Sequence, residues 1–273
     1  MMLLTETVNI TLSGDWVSAI LDGLMFLVAV ISAFYAYQAY KHQKDRSKKA
    51  TACDLAKYYA DDIIANYGLI SSVFSRSGLD AYIKGALSLN DLKRFDDDEL
   101  NNLLSAKSIS KDEFFSKVNE IDPMVILQCR LARRCTTEER HSTYNDFIEI
   151  DEETQELKVV NGAFLKNDFF QELSDLLNHL EWFAMNFQYG IADEELLYQS
   201  LHQTFLSTIW VLYPFISRNN VSNEDKLYTN IIWLFDKWYT RLSTIKKEAQ
   251  EQKEAYLKMA DAVKPRVYSG KSI

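Results

Sequence analysis

The segment Trp16–Tyr40, WVSAILDGLMFLVAVISAFYAYQAY, constrains this chain more than any other stretch. It is mostly apolar and long enough to cross a bilayer, which takes roughly 20 such residues. Asp22 is its single charge and lies near one end. No Lys or Arg precedes Lys41, and five fall between Lys41 and Lys49. Basic residues stay on the cytoplasmic side of a membrane, so the pattern predicts an N-out, C-in anchor. Trp16, Tyr35, Tyr37 and Tyr40 sit where interfacial aromatics belong. The opening MMLLTETVNITLSGDW carries no basic residue, and the apolar core is longer than a signal peptide requires. An uncleaved anchor is therefore expected rather than a removed leader.

Charge is unevenly distributed along the chain. Residues 1–40 hold three acids and no base, and residues 41–49 hold five bases against Asp45. The total of -9 then leaves -10 for residues 50–273. An acidic domain is a poor phosphate binder, so nucleic acid is not expected as a partner. With only 8 Gly and 3 Pro in 273 residues, long helices are favoured over turn-rich β architecture. Cys53, Cys129 and Cys135 have no CxxC spacing, and their odd number argues against a disulfide framework.

No Pro or Gly occurs between Leu24 and Tyr67, so the anchor is expected to run on into a helix over Leu55–Phe74. Leu55, Tyr59, Ile63, Asn66 and Ile70 would share one face of it. Asp96–Glu99 supplies the acidic start of a short helix through Ala106, and Ser110 with Glu113 has the spacing of a capping box. Pro123 suits the first turn of a helix reaching Arg134. Tyr144–Val160 alternates rather than following helical spacing, and reads as a small β-hairpin or an irregular loop.

From Asn167 onward Leu173, Leu176, Leu177, Leu180, Phe183, Ala184 and Phe187 make a broad apolar stripe that Gly190 would end. Asp193 is placed to cap a helix over Glu194–Ile216, with Pro214 kinking or ending its last turn. A final helix is expected to open after Ser222 or Asn223. Beyond Lys246 its apolar face thins to Ala249, Tyr256, Met259 and Val263, a sparse coiled-coil spacing. The end, KPRVYSGKSI, reads as a frayed tail.

Candidate chemistry is scarce. His42, His141, His179 and His202 fall in no HExxH or paired Cys/His spacing, and no metal or other cofactor is expected. Glu195 and His202, two turns apart, would need further ligands from elsewhere. No nucleophile elbow, phosphate-binding glycine loop or calcium loop is present. Arg134 and His141 match the loose Arg-x(4–6)-His pattern of all-α HEPN ribonucleases, in which such a pair positions a phosphate and acts as acid/base. Asn178 and Glu181, one turn apart beside the apolar stripe, form a recognition spot, a buried bond to a partner helix, or simply a solvated face. Of the 5 tryptophans, Trp182, Trp210, Trp233 and Trp238 read as core.

LLNHLEWFAMNFQYGIADEELL at Leu176–Leu197, YPFI at Tyr213–Ile216 and FDKWYTRL at Phe235–Leu242 together resemble the bacterial family named domain of unknown function 4760. The resemblance covers roughly Leu173–Leu242. It implies an N-terminal membrane helix paired with a helical region, and brings no reaction or catalytic residue with it.

The expected fold is mainly all-α: a single N-terminal transmembrane helix, then a helical cytoplasmic domain. The expected segments are an outer N-terminus (1–15), the span (16–40), a basic juxtamembrane and helical stalk (41–75), the domain (76–246), and a helical extension with tail (247–273). The expected function is a non-enzymatic interaction or sensor-effector module anchored in the bacterial inner membrane, with the lipid bilayer and a protein partner or second copy as its partners. Two alternatives stand beside it. One is a membrane-permeabilising effector of the phage-defence type, acting through oligomerised anchors in which Asp22 mediates assembly. The other is a HEPN-like ribonuclease using Arg134 and His141.

Overall fold

The computed structural model describes residues 15–134, 147–150, 157–220 and 226–263. The chain divides into two units, Met1–Ala50 and Thr51–Ile273. Helix α1 covers Asp15–Tyr58. In the first unit its large apolar side chains, from Leu24 to Phe34, all lie exposed, and the window in this stretch apolar enough to cross a membrane is 0% buried.

The second unit is helical apart from one short ladder. From the end of α1 the chain passes through a π-helical turn, Tyr59–Ile63, into α2, Ile64–Arg76. Leu55, Tyr59 and Ile63 are each four residues apart, a spacing that drifts off one face of a helix with 3.6 residues per turn. The wider π turn absorbs that drift, and all three side chains are buried. The predicted stripe therefore reaches the core, although through an irregular helix rather than a continuous one.

Three short helices follow: α3 (Leu79–Ala86), α4 (Asp97–Ser105) and α5 (Lys111–Asn119). Their starts are set locally. Asp96 accepts from Glu99 N–H at 2.8 Å, and Ser110 Oγ accepts from Glu113 N–H at 3.0 Å. Helix α6 is Pro123–Arg134. Strands β1 (Ile148–Ile150) and β2 (Leu157–Val159) pair antiparallel, Glu149 opposite Lys158. That settles the hairpin-or-loop alternative in favour of the ladder.

Three long helices complete the unit: α7 (Gly162–Gln188), α8 (Glu194–Arg218) and α9 (Thr229–Val263). Helix α7 begins five residues before the predicted Asn167, because the apolar positions Leu165 and Phe169 are buried too. Gly162 is required at its start: a Cβ there would stand 2.8 Å from Pro123 Cγ, where α6 and α7 meet. Gly190, at φ 64°, follows the helix end as expected. Pro214 lies within α8 without ending it, and the helix runs to Arg218. Helix α9 opens at Thr229 rather than near Ser222; residues 221–225 lie outside the described residues, as does the terminal KPRVYSGKSI.

Helix α7 packs on α9, α6 and α2, while α8 packs on α9 and α4. The core between them is aromatic. Trp238 meets Phe187 and Phe205, Phe183 meets Tyr59, and Phe95 stands edge-on to Tyr213 and Phe235. Such edge-to-face pairs add about 0.5–1.5 kcal/mol each to the area they bury. Trp238 and Trp210 are core or core-packing as predicted, and Trp233 is half-buried against the core, but Trp182 is exposed and meets Tyr58 edge-on.

Candidate functional site

Several carboxylates of the second unit meet the starts of helices or the loops beside them. Glu181 reaches from the last third of α7 to the start of α9. One carboxylate oxygen accepts from Asn230 N–H at 3.0 Å and from Asn230 Nδ2 at 2.6 Å; the other accepts from Ile231 N–H at 2.9 Å. A negative group at a helix N-terminus meets both the unpaired N–H groups and the positive end of the macrodipole. Tyr228, just before the helix, is held at φ 61°, which turns the chain into this cap. Asn178, one turn earlier on α7, is exposed and does not share these bonds.

A second centre forms around Glu99 of α4. Its buried carboxylate accepts from the N–H groups of Lys93, Arg94 and Phe95 at 2.8 to 3.0 Å and from Tyr213 Oη of α8 at 2.7 Å. The sequence around it, Asp96-x-x-Glu99, has capping-box spacing. The Asp96 half forms as such a box would, but Glu99 turns to the preceding loop. That loop can receive it because Phe95 takes φ 52° and its N–H groups converge. Asn220 then bridges the loop to the chain beyond α8, donating to Phe95 O at 2.9 Å and accepting from Leu227 N–H at 2.7 Å. Burial, with the nearby Glu99 carboxylate, pushes the Tyr213 phenol well above its usual range.

Two further charged contacts tie helices together. Arg130 of α6, buried, is paired with Asp168 and, at 2.8 Å, with Glu172, one turn apart on α7. Glu195 of α8 receives a two-pronged pair from Arg241 of α9 at 2.5 and 2.6 Å, which holds its carboxyl below the usual range. Glu195 is thereby committed to Arg241, while His202 Nδ1 lies 2.7 Å from Tyr198 O. The Glu195–His202 pair does not come together. His42 is exposed and His179 packs beside Tyr58 with its Nδ1 buried. Among the described residues no three His, Cys, Asp or Glu side chains cluster as metal ligands.

A recess of about 380 Å³ lies between α2 and α6 and is lined by Ile64, Gly68, Ser72, Arg76, Cys129 and Ala132. Burial pushes the Cys129 thiol up, with the Arg76 charge opposing only in part. The thiol therefore stays protonated near neutral pH and is a poor nucleophile. Arg134 closes α6 two residues past Ala132, its side chain outside the described residues; His141 lies outside them altogether. Asp22 lies within α1, its side chain likewise outside the description. The structure thus brings Glu181 to Asn230 and Glu99 to Tyr213, and among the described side chains it joins no other pair of sequence candidates. The Asp96–Glu99 spacing was the available signal for the second centre; Tyr213 and Asn220 carried none.

No curated protein and no solved structure matches the chain. The model of the family described as Domain of unknown function (DUF4760) matches residues 24–238, from inside α1 to Trp238 of α9, and so includes both the Glu181 cap and the Glu99 centre. The chain belongs to that family.

Proposed function

We propose that this protein is a non-enzymatic interaction or sensor-effector module, anchored once in the bacterial inner membrane with its N-terminus outside and residues 41–273 in the cytoplasm. The observation that carries the reading is the run of exposed apolar side chains on α1, among them Leu24, Phe26, Leu27, Val28, Val30, Ile31 and Phe34. A soluble surface does not leave so continuous an apolar helix in water, whereas a bilayer requires one. The abrupt basic run at Lys41–Lys49 supports the orientation.

The non-enzymatic half of the reading is supported by how the polar groups are used. Glu181 and Asp96 are committed to helix ends, Glu99 to the loop before α4 and to Tyr213, and Glu195 to arginine, while the Tyr213 and Cys129 protons are held tightly. These arrangements fix geometry and engage each of these four carboxylates in a structural contact. The test is a pair of C-terminal fusions in cells. A fluorescent protein active only in the cytoplasm should be bright and alkaline phosphatase silent, with the chain resisting carbonate extraction from membranes. A silent fluorescent fusion with active phosphatase would overturn the orientation, and release by carbonate would overturn the anchor.

A further inference from the structure

Helix α9 outruns the core that it helps to build. Trp238 is wholly buried and Leu242 still packs on the core, but every described side chain from Thr244 through Met259 is exposed. Over this stretch Ile245 is 47%, Tyr256 71% and Met259 63% exposed. Apart from Leu257, which is 52% exposed and lies off the line of the others, its apolar side chains nevertheless keep a regular order. Leu242, Ala249 and Tyr256 are seven apart, and Ile245 and Met259 stand three residues after the first and last of them. The position between, Gln252, is polar. This is a heptad with Leu242, Ala249 and Tyr256 at a, and Ile245, Gln252 and Met259 at d.

We propose that this extension pairs with the same helix of a second copy of the chain, as a parallel, in-register two-stranded coiled coil. The charges beside the seam select that occupant. Glu248 takes a g position and Lys253 the next e position. In a parallel pair each Glu248 faces Lys253 of the other copy, giving two symmetric attractions. An antiparallel pair would set Lys against Lys and Glu against Glu. Glu248 and Lys253 make no ion pair within the chain, while the pairs that do form there, Lys247–Glu251 and Gln250–Glu254, lie on the outer positions. Arg241, which a parallel pair would bring near Lys246, is already held by Glu195. In-register pairing also sets Gln252 against Gln252, where each amide meets a partner. An offset or antiparallel pair would leave it against an apolar position.

The seam is short and has one Ala and one Gln in it, so it is weak in free solution. It rests on the anchored reading above for its strength: two copies inserted the same way are confined to one surface and presented in parallel, which raises their effective concentration.

The test is disulfide trapping of the full-length chain in membranes. Cys53 and Cys135 are replaced by Ser and Cys129 by Ala, and single cysteines are placed by Ala249→Cys, Tyr256→Cys and, on the outer face, Glu254→Cys. Oxidation should give covalent dimers at 249 and at 256 and none at 254. Adding Glu248→Lys should lower the dimer yield by roughly fivefold through facing lysines, and Glu248→Lys with Lys253→Glu should restore it. Dimers at only one of the two seam positions would overturn the parallel register. Equal yields at 254, an unchanged yield with Glu248→Lys, or adducts only to another protein would overturn self-pairing. Membrane fractionation of the same samples separates the two readings. A chain that stays with the membrane but gives no dimer refutes the pairing alone, and one that dimerises in the soluble fraction refutes the anchor.

Discussion

The carboxylate of Glu181 takes both the main-chain N–H and the side-chain amide of Asn230, 49 residues later, on a single oxygen. Its other oxygen caps Ile231. One side chain in the last third of α7 therefore caps the start of α9, the helix that carries Trp238 into the core.

Glu181→Ala should destabilise the second unit by about 1–3 kcal/mol, because two half-buried N–H groups lose their acceptor. Glu181→Gln keeps one carbonyl oxygen and should cost less. Asn230→Ala should cost least, since Ile231 N–H stays capped. Thermal unfolding of the full chain in detergent, followed by circular dichroism, gives the order. Asn230→Ala as damaging as Glu181→Ala would show that the cap is not where the energy lies.

At the second centre Glu99→Gln should cost more than Tyr213→Phe, against the usual expectation that an isosteric change is mild. Both carboxylate oxygens face N–H donors, so the amide NH2 of Gln must point at a donor whichever way it turns. Tyr213→Phe removes one donor and leaves the three N–H contacts in place. Expected costs are about 3 kcal/mol and about 1 kcal/mol respectively. Chemical denaturation of both variants beside the wild type checks the ranking.

Tyr59 and Tyr213 make the fold sensitive to alkali. Burial raises both phenols above their ordinary value of 10.0. Below that pH the folded and unfolded chains both hold these protons, and stability is independent of pH on their account. Above it the unfolded chain ionises first, so stability falls as pH rises, by about 1.4 kcal/mol per pH unit for each phenol. Tyr59→Phe with Tyr213→Phe should flatten this slope. Tyrosinate absorbance should show two phenols ionising only with unfolding.

In cells, Asp22→Leu should impair whatever phenotype the chain confers, since it removes the only charge of the span while easing insertion. Arg134→Ala with His141→Ala should leave that phenotype intact. A fully active Asp22→Leu beside a dead double variant would move the protein into the nuclease class.

Much of this architecture is written within a few residues of where it acts. Asp96, Ser110 and Asp193 cap the helices that begin beside them, each bonding an N–H three residues ahead. The apolar order from Leu173 to Phe187 fixes the buried face of α7, and Trp16–Tyr40 with Lys41–Lys49 marks a helix fit to cross a membrane. These features were legible because helix periodicity and capping depend on neighbours one or two turns away.

The sites were legible only in part. Glu181 stands out in the sequence as a polar residue beside an apolar stripe, but nothing near it names Asn230. Glu99 has the spacing of a local cap but turns to the loop before its helix, and its remaining donor, Tyr213, lies 114 residues away. The start of α9 differs from the sequence expectation for the same reason: its cap comes from Glu181 of α7, which no local pattern announces. The sequence by itself therefore determined the helices, their buried faces and the membrane-length segment. Tertiary structure alone decided which carboxylate meets which helix end, because a buried charge takes whatever donors packing brings to it, at any distance along the chain.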